Sequence, residues 1–318
     1  MRILITGAGG FVGSHLINDL ERAGHEVGAV DRIPGTLEQR LPGRSWRGDL
    51  AVPGSIAAIV STWRPDAVAH LAGWAHVGQS WQQPAEVFEA NVVATIRVYT
   101  ALAASSVARP RFLYISSADV YGSAPAPEDL PFTEASVARP ESPYAASKFS
   151  AEIALAALRR EFPAELLIVR PFNHIGPGQS PRFAIPSFAR QVAEIATGQR
   201  KALRHGNLNP RRDFLDVRDV VRAYRLILEG GRDGDLYTIS SGVSHSMREI
   251  VEKLFELAGI PPSLELDPTL VRGTDAPEMR GSSALLTKRL GWTPEIPFDT
   301  TLRDILEEAR AEVRQGHA

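Results

Sequence analysis

The chain has 318 residues, of which 44% are hydrophobic, so it can bury the core of one large α/β domain or of one and a half. Its 35 basic and 37 acidic residues give a net charge of −2, which argues against a nucleic-acid-binding protein. The absence of cysteine excludes disulfides, thiolate catalysis and zinc–sulfur sites.

Apolar runs that read as buried strands alternate with helix-like segments over the first 170 residues. The predicted strands are 2–6, 25–30, 66–71, 111–116 and 165–170, with a short third strand before residue 48, and the predicted helices are 11–23, 54–62, 87–105 and 144–160. This alternation predicts a parallel sheet with helices on both faces. The start, MRILITGAGG, reads as a strand without a leader, and no run reaches the roughly 20 apolar residues of a membrane span. We therefore expect a soluble, cytoplasmic protein.

The first strand is followed by TGAGGFVGSHL, which places Gly7, Gly10 and Gly13 between a strand and a helix. Such glycines permit a tight turn and a close approach of the backbone to a pyrophosphate, whose charge meets the helix N-terminus. An ordinary strand-to-helix turn is the alternative interpretation. Asp31 ends the second strand about 20 residues later, as expected of a ribose-binding acid, and this context predicts a dinucleotide site.

The residues after the second and third strands bear on which dinucleotide is bound. Asp31 favours the free 2′-hydroxyl of NAD, whereas the adjacent Arg32 could hold the 2′-phosphate of NADP. The carboxylate would repel that phosphate, so the sequence favours NAD without excluding NADP. In GDL (48–50), Asp49 could bind the adenine amine, or it could simply be an acid in a surface turn.

Tyr144 and Lys148 in SPYAASK lie one turn apart on a predicted helix. A nearby ammonium should lower the pKa of the tyrosine from about 10 toward neutrality. Tyr144 would then serve as the acid or base of a hydroxyl/ketone interconversion. The pattern alone usually marks a solvated helix face, but it follows the serine-rich ISSADVYG (115–122), where Ser117 could bond the same substrate oxygen.

After residue 170 prolines and loops become frequent. Helices are predicted near 184–197, 217–229, 246–258 and 299–314, and the run 235–240 could return to the sheet as a strand. We predict a dinucleotide-binding domain over 1–170, with 213–245 returning to it, and a smaller α/β domain over 171–318 that lies over the carboxyl ends of the strands. In the loop RPFNHIGPGQS (170–180), His174 is expected to be a hydrogen-bonded loop residue, because the other histidines lack metal-ligand spacing.

Taken together, these motifs resemble the extended short-chain dehydrogenase/reductases that act on nucleotide sugars. The resemblance also covers HLAG (70–73), EANVVAT (89–95), RRDFLDVRDV (211–220) and RLGWTP (289–294). Within that family, RPFNHIGPGQS and LDPTLVRGTDAP (266–277) are most similar to the reductases of GDP-4-keto-6-deoxymannose, which make GDP-rhamnose. The implied fold is a Rossmann-type doubly wound sheet with a smaller C-terminal substrate-binding domain.

The resemblance implies a role for each matching residue. The cofactor would contact Gly7, Gly10, Phe11, Val12, Gly13, Asp31, Arg32, Asp49, Leu50, Leu71, Ala72, Gly73, Asn91, Tyr144 and Lys148. The catalytic set would be Ser117, Tyr144 and Lys148, with Lys148 also holding the nicotinamide ribose. The nucleotide sugar would meet Ser117, Asn173, Arg212, Arg272 and Asp275.

Three reactions of the family stay open at this point. A C4-ketone reductase and an NAD-retaining 4-epimerase need the same catalytic residues; Asp31 favours the epimerase, and the longer loop match favours the GDP-sugar reductase. A 4,6-dehydratase ranks third, because Ser117, Ala118 and Asp119 stand where the dehydratases of the family have Thr-Asp-Glu or Thr-Ser-Glu. A non-catalytic cofactor sensor predicts a broken tyrosine–lysine pair, which is intact here. Helices 87–105 and 144–160 have broad apolar faces, which could simply pack on the sheet. Because members of the family often pair these helices across a two-fold axis, the resemblance implies a homodimer.

Overall fold

Seven parallel strands form the central sheet of the computed structural model, which describes residues 1–33, 35–271 and 276–316. From edge to edge they are β10 (Leu236–Ile239), β6 (Glu165–Pro171), β5 (Arg111–Ile115), β4 (Ala67–His70), β1 (Arg2–Thr6), β2 (Glu26–Asp31) and β3 (Ser45–Arg47). The strand order reverses between β1 and β4, and ligands of open α/β sheets bind at such a switch point. The predicted doubly wound sheet is confirmed, and so is the return of a late strand, β10, to its edge.

Helices cover both faces of this sheet. The α-helices of the described residues, not all of which contact this sheet, are α1 (Phe11–Arg22), α2 (Leu37–Arg40), α3 (Ser55–Trp63), α4 (Val77–Ser80), α5 (Pro84–Phe88), α6 (Ala94–Ala103), α7 (Pro143–Leu158), α8 (Ala184–Ala196), α9 (Val217–Gly230), α10 (Met247–Ala258), α11 (Ala284–Leu290) and α12 (Phe298–Gln315). One buried apolar cluster joins the sheet to α1 and α9, and a second joins it to α3, α6 and α7. None of the helices in the described ranges has the length and apolar character needed to cross a membrane.

A third apolar cluster lies outside the sheet and is formed mainly by α8, α10 and α12. Short strands surround it: β7 (Asn173–Ile175), β8 (Leu203–His205), β9 (Arg211–Asp216), β11 (Ser244–Ser246), β12 (Leu264–Leu266) and β13 (Glu278–Met279). Strands β11 and β13 flank β9, which also pairs with β7, while β12 pairs with β8. All of these strands except β9 have only two or three residues, which are too few to show a periodicity in the sequence. The division into two domains near residue 170 stays a prediction.

The predicted helix 87–105 is interrupted in the structure. A π-helical turn, Glu89–Val93, separates α5 from α6. Such turns insert one extra residue and often occur near functional sites. Here the turn accompanies the inward side chain of Asn91, which is 1% exposed and bonds to a loop and to the neighbouring helix.

Candidate active site

A cleft of about 1640 Å³ opens at the carboxyl ends of the central strands, between the sheet and the C-terminal residues. Its lining includes all but one of the predicted cofactor-contacting residues: Gly7, Gly10, Phe11, Val12, Gly13, Asp31, Arg32, Asp49, Leu50, Leu71, Ala72, Gly73, Tyr144 and Lys148. It also includes the predicted substrate-contacting residues Ser117, Asn173 and Arg212. Residues scattered over the sequence thus meet in one concave site, as expected at a switch point. Arg272 and Asp275 lie outside the described residues.

The glycine loop provides a backbone cradle at one end of the cleft. Gly7 has a φ of +71°, and a Cβ there would lie 2.8 Å from the backbone of Ala72. A Cβ on Gly13 would lie 2.4 Å from the Ala8 carbonyl oxygen, so only glycine lets α1 begin this close to the turn. The N-terminus of α1 therefore faces the cleft with little side-chain cover, which fits a pyrophosphate.

Asp31 is oriented toward this loop. Its carboxylate accepts hydrogen bonds from the backbone N–H groups of Gly9, at 2.9 Å, and of Ile33, at 3.1 Å. The oxygen that faces Gly9 lies at the cleft wall, where a ribose hydroxyl next to the pyrophosphate would reach it. The geometry fits the adenosine ribose of a dinucleotide.

A second cavity, of about 710 Å³, lies beside Asp31. Arg32 and Arg47 line it, together with Asp49 and Ser55. Sequence analysis missed Arg47. It ends the three-residue strand β3, and the pairing of β3 with β2 brings it next to Asp31 at the ribose end of the cleft. Two arginines at this position fit a phosphate group, since guanidinium matches phosphate oxygens.

Tyr144 and Lys148 both lie in the first turns of α7. Ser142 caps this helix by accepting a hydrogen bond from the Ala145 N–H, and Pro143 occupies its first position. The Lys148 ammonium donates to the carbonyl oxygen of Ile115, at the end of β5, over 2.9 Å. Burial lowers the pKa of Lys148 to about 8, although the carboxylate of Glu152 opposes that shift.

The predicted lowering of the Tyr144 pKa is wrong in this structure. Burial raises the pKa of Tyr144 and the charge of Asp119 adds to the rise, while a hydrogen bond with Ser117 opposes it. The Lys148 ammonium is hydrogen-bonded to the Ile115 carbonyl oxygen and not to the Tyr144 hydroxyl. Tyr144 is therefore held as a neutral phenol, the form that can donate a proton.

A buried ion pair stands behind Lys148. Glu152, one turn further along α7, accepts two hydrogen bonds from the guanidinium of Arg170, at 3.0 and 2.6 Å, and another from the Ser116 hydroxyl. Both charged side chains are nearly buried, with 5% and 6% of their surface exposed. The guanidinium lies over the ring of Tyr121, 5.0 Å from its centroid. This pair ties α7 to β6, and sequence analysis missed it because the partners are 18 residues apart on different elements.

Ser117 and Asp119 occupy the short turn after β5. The Ser117 hydroxyl accepts a hydrogen bond from the Asp119 N–H over 3.1 Å and also bonds with Tyr144. Burial raises the pKa of Asp119, and the charge of Arg212 opposes that rise. Arg212 also donates to the carbonyl oxygens of Arg211 and Ala276. These hydrogen bonds hold the Arg212 side chain at the wall of the cleft.

The segment after β6 forms the substrate side of the cleft. Asn173 is exposed to it, and His174 donates from Nδ1 to the Phe172 carbonyl oxygen over 3.1 Å. The histidine is hydrogen-bonded as expected, but it lies in the short strand β7 and not in a loop. Burial lowers the pKa of His174. Among the described residues, no group of three His, Asp or Glu side chains could hold a metal ion. Gln179, which sequence analysis passed over, donates to the His174 carbonyl oxygen, and its own buried Oε1 has no partner in the described chain.

Asn91 is the predicted cofactor residue that does not line the cleft. Its Oδ1 accepts from the Trp74 N–H over 2.6 Å, and its Nδ2 donates to the Ser147 hydroxyl over 2.9 Å. These bonds satisfy the amide and connect the loop after β4 to α7. Asn91 therefore lies behind the cleft wall, where it positions the wall and does not line the cofactor site itself.

Comparison with known proteins gives matches over nearly the whole chain. A family model described as GDP-mannose 4,6 dehydratase matches residues 4–305. GDP-6-deoxy-D-mannose reductase of Pseudomonas aeruginosa is 38% identical over 317 residues, which cover 99% of this chain and 99% of the relative. The structure of RMD from P. aeruginosa complexed with NADPH has a TM-score of 0.87 at 36% identity and covers 98% of this chain and 99% of that chain. The structure of Thermus thermophilus UDP-glucose 4-epimerase in complex with NAD has a TM-score of 0.86 at 28% identity. The match covers 98% of this chain and 99% of that chain.

Proposed function

Because the chain belongs to the GDP-mannose 4,6-dehydratase family of short-chain dehydrogenase/reductases, we propose a reaction within that family. The protein is an NAD(P)-dependent enzyme that reduces the C4 ketone of a GDP-4-keto-6-deoxyhexose to a GDP-6-deoxyhexose of the GDP-D-rhamnose type. The observation that carries this proposal is the end-to-end similarity to a GDP-6-deoxy-D-mannose reductase, together with an intact proton donor in the cleft. The cofactor is NADP(H) or NAD(H), as in the related structures.

Each catalytic residue of the cleft has its own role in ketone reduction. A bound reduced nicotinamide supplies the hydride for C4. Tyr144, held as a neutral phenol, donates a proton to the oxygen at C4 as negative charge develops there. Ser117, already bonded to Tyr144, holds the same oxygen. Lys148 supplies positive charge behind the tyrosine and binds the nicotinamide ribose.

The nucleotide end of the substrate is assigned to the other side of the cleft. Asn173 and Gln179 offer amide groups to sugar hydroxyls or phosphate, and Arg212 offers positive charge to the pyrophosphate. Arg272 and Asp275 are proposed to contribute from the segment outside the described residues. A neutral histidine, His174, supports this wall by stacking parallel to Phe11 at 6.3 Å.

The 4,6-dehydratase reaction fits the cleft less well than ketone reduction does. A dehydratase must remove a C5 proton and deliver one to the departing C6 hydroxyl, but Ala118 can do neither. The epimerase needs the same residues as the reductase, so an assay must separate them. Incubation with GDP-4-keto-6-deoxymannose and NADPH or NADH should oxidise one reduced cofactor for each ketone consumed. Interconversion of C4 epimers by a cofactor already bound after purification, without oxidation of added cofactor, would contradict the reductase.

The activity should depend on pH through Lys148. We expect kcat/KM for NADPH to be constant below about pH 7 and to fall as the pH rises through about 8, because the buried ammonium loses its proton there. The raised pKa of Tyr144 keeps the phenol protonated over the same range, so it cannot cause this fall. A pH profile of initial rates measures this, and a constant kcat/KM up to pH 10 would refute it.

The arginines beside Asp31 should set cofactor choice. We expect Arg32→Ala to raise the KM for NADPH by about tenfold and the KM for NADH by less than about twofold, because a guanidinium–phosphate hydrogen bond adds roughly 1.5 kcal/mol. Arg47→Ala serves as the matched variant, with the same direction expected. Steady-state kinetics with both cofactors make the measurement, and equal changes in the two KM values would exclude a 2′-phosphate at this cavity.

We further propose a homodimer formed through α7 and its neighbours. Ile153 on α7 and Phe88 on α5 expose 58% and 37% of their surface, and Trp81 beside them exposes 63%. Ile153→Asp should shift the protein to monomers in size-exclusion chromatography with light scattering, because it places a charge in an apolar interface. Val243→Asp, at a similarly exposed apolar position between β10 and β11, should leave the mass unchanged. A wild-type monomer would refute the proposal. Cytoplasmic localisation stays a prediction.

A further inference from the structure

His70 ends β4 with an imidazole that is 1% exposed and hydrogen-bonded through both ring nitrogens. Its Nδ1 lies 2.7 Å from the hydroxyl oxygen of Thr6, and its Nε2 lies 2.9 Å from that of Thr95. The Thr95 hydroxyl also donates to the Asn91 carbonyl oxygen over 2.7 Å. The Thr6 hydroxyl oxygen accepts from the Ala72 N–H over 3.4 Å. These four hydrogen bonds form one buried chain from β1 through β4 to α6, which we call the His70 chain.

The His70 chain fixes the position of the ring proton. Because a carbonyl oxygen can only accept, the Thr95 hydroxyl gives its hydrogen to Asn91 and accepts from the Nε2–H of His70. Nδ1 then carries no proton and accepts from the Thr6 hydroxyl. Burial lowers the pKa of His70 to about 3, so the ring is neutral near neutral pH. Every donor of the chain thus meets an acceptor, and all four bonds point from Ala72 toward Asn91.

At one end the His70 chain joins two loops of the cofactor cleft. Thr6 ends β1 and precedes Gly7, the first glycine of the glycine loop, whereas Ala72 belongs to the loop after β4. A Cβ on Gly7 would lie only 2.8 Å from the backbone of Ala72, so the two loops are in close contact. Both Gly7 and Ala72 line the cleft, and a shift of either loop would change its width.

At the other end the His70 chain joins the helix of the proton donor. The side chain of Asn91 bonds to the Trp74 N–H and to the Ser147 hydroxyl. Ser147 lies on α7 and donates to the Tyr144 carbonyl oxygen over 2.7 Å. The His70 ring therefore lies between the glycine loop and the helix that carries Tyr144.

We propose that His70 is a positioning residue that holds the glycine loop, the loop after β4 and α7 in the arrangement that binds the dinucleotide and places its ring beside Tyr144. A neutral imidazole suits this role, because one nitrogen donates and the other accepts on opposite sides of a rigid ring. A fully paired buried network of this kind favours a single arrangement of the elements it joins. His70 itself does not line the cleft, so it acts only through its neighbours. The inference rests on the proposed dinucleotide binding.

Thr95→Val tests this inference, because it keeps the shape of the side chain and removes both the acceptor of His70 and the donor to Asn91. In calorimetry we expect NADPH to bind about five- to twelvefold more weakly, the effect of one hydrogen bond, and we expect kcat to fall by a similar factor. GDP probes the substrate wall, which none of the four bonds joins, and it should bind within about twofold of the wild type. Thr95→Ser, which keeps the hydroxyl, should restore the binding of NADPH.

Thr100→Val, on the same helix, is the matched control. The Thr100 hydroxyl donates to the carbonyl oxygens of Ile96 and Arg97, in the preceding turn of α6, over 2.9 and 3.2 Å. It therefore repeats the bond of Thr95 to Asn91 outside the His70 chain. Both valine variants should lower the Tm, because each loses a hydrogen bond, but only Thr95→Val should weaken the binding of NADPH.

Nitrogen NMR of protein with isotope-labelled histidine checks the ring itself. At about pH 5, where an ordinary histidine is charged, the His70 signals should be those of a neutral ring with its proton on Nε2, and their loss in His70→Gln assigns them. A charged ring or a proton on Nδ1 would overturn the inference. So would a Thr95→Val protein with a lower Tm that binds NADPH as tightly as the wild type, or that binds NADPH and GDP equally weakly, since the chain would then serve only the fold. If the wild type itself binds neither ligand, the proposed function fails as well.

Discussion

Tyr144→Phe should lower kcat for ketone reduction by about 10²- to 10⁴-fold, since it removes the group that donates the proton. The dissociation constant of NADPH should change by less than about threefold, because the ring and its packing remain and only the hydroxyl bonded to Ser117 is lost. Rates under saturating substrate and cofactor, with NADPH binding measured separately, distinguish the two effects. A loss of activity with intact binding assigns the hydroxyl to the chemical step.

Ser117→Ala gives the graded control for this experiment. It removes a hydrogen bond to the substrate oxygen and leaves the proton donor in place, so a smaller loss, about tenfold, is expected. Should Tyr144→Phe keep more than a tenth of the wild-type activity, the proton would come from another group and the proposed mechanism would be wrong.

Glu152→Gln should lower the free energy of unfolding by about 3–5 kcal/mol, because it leaves the Arg170 guanidinium buried without its counter-charge. The Ser116 hydroxyl, which donates to the same carboxylate, would also lose a charged acceptor. Urea denaturation of the wild type and of Glu152→Gln measures this difference in the free energy of unfolding. The pH at which activity falls should also shift downward, since the Glu152 charge raises the pKa of Lys148.

The matched control is Glu256→Gln on α10. Glu256 pairs with Lys253 at 3.2 Å, but its side chain is 71% exposed, so the same chemical change should cost less than about 1 kcal/mol. Equal losses for the two variants would mean that the buried pair does not hold α7 against β6.

The first half of the fold was predictable because its strands and helices obey simple periodicities. Strands β1, β2, β4, β5 and β6 are continuous apolar runs, and all five were predicted within a residue or two. The π-helical turn at Glu89–Val93 has no such signature, since it depends on the bonds of Asn91 to a loop and to α7. The short strands around β9 were missed for a related reason, because their pairing is non-local.

The candidate site was predictable where spacing alone carries the geometry. Tyr144 and Lys148 share a helix face, and the glycine loop is contiguous in sequence. The direction of the Tyr144 pKa was not predictable, because it depends on burial and on the charge of Asp119.

The segment RPFNHIGPGQS contains residues whose role was predictable from the sequence and residues whose role was not. Its position after β6 and the supporting place of His174 followed from composition and spacing. The contribution of Gln179 did not, because the burial of its side-chain carbonyl oxygen without a partner in the described chain depends on the fold. Arg170, at the start of the same stretch, belongs to the ion pair with Glu152 and not to the substrate wall.

The fate of the cofactor hydride tests the central claim most directly. The enzyme is incubated with GDP-4-keto-6-deoxymannose and NADPH that carries deuterium at both C4 positions of its ring. A reductase transfers one deuterium to C4 of every product molecule, and mass spectrometry and NMR should find it there in stoichiometric amount. Product without deuterium, or C4 epimers formed without consumption of the labelled cofactor, would contradict the account.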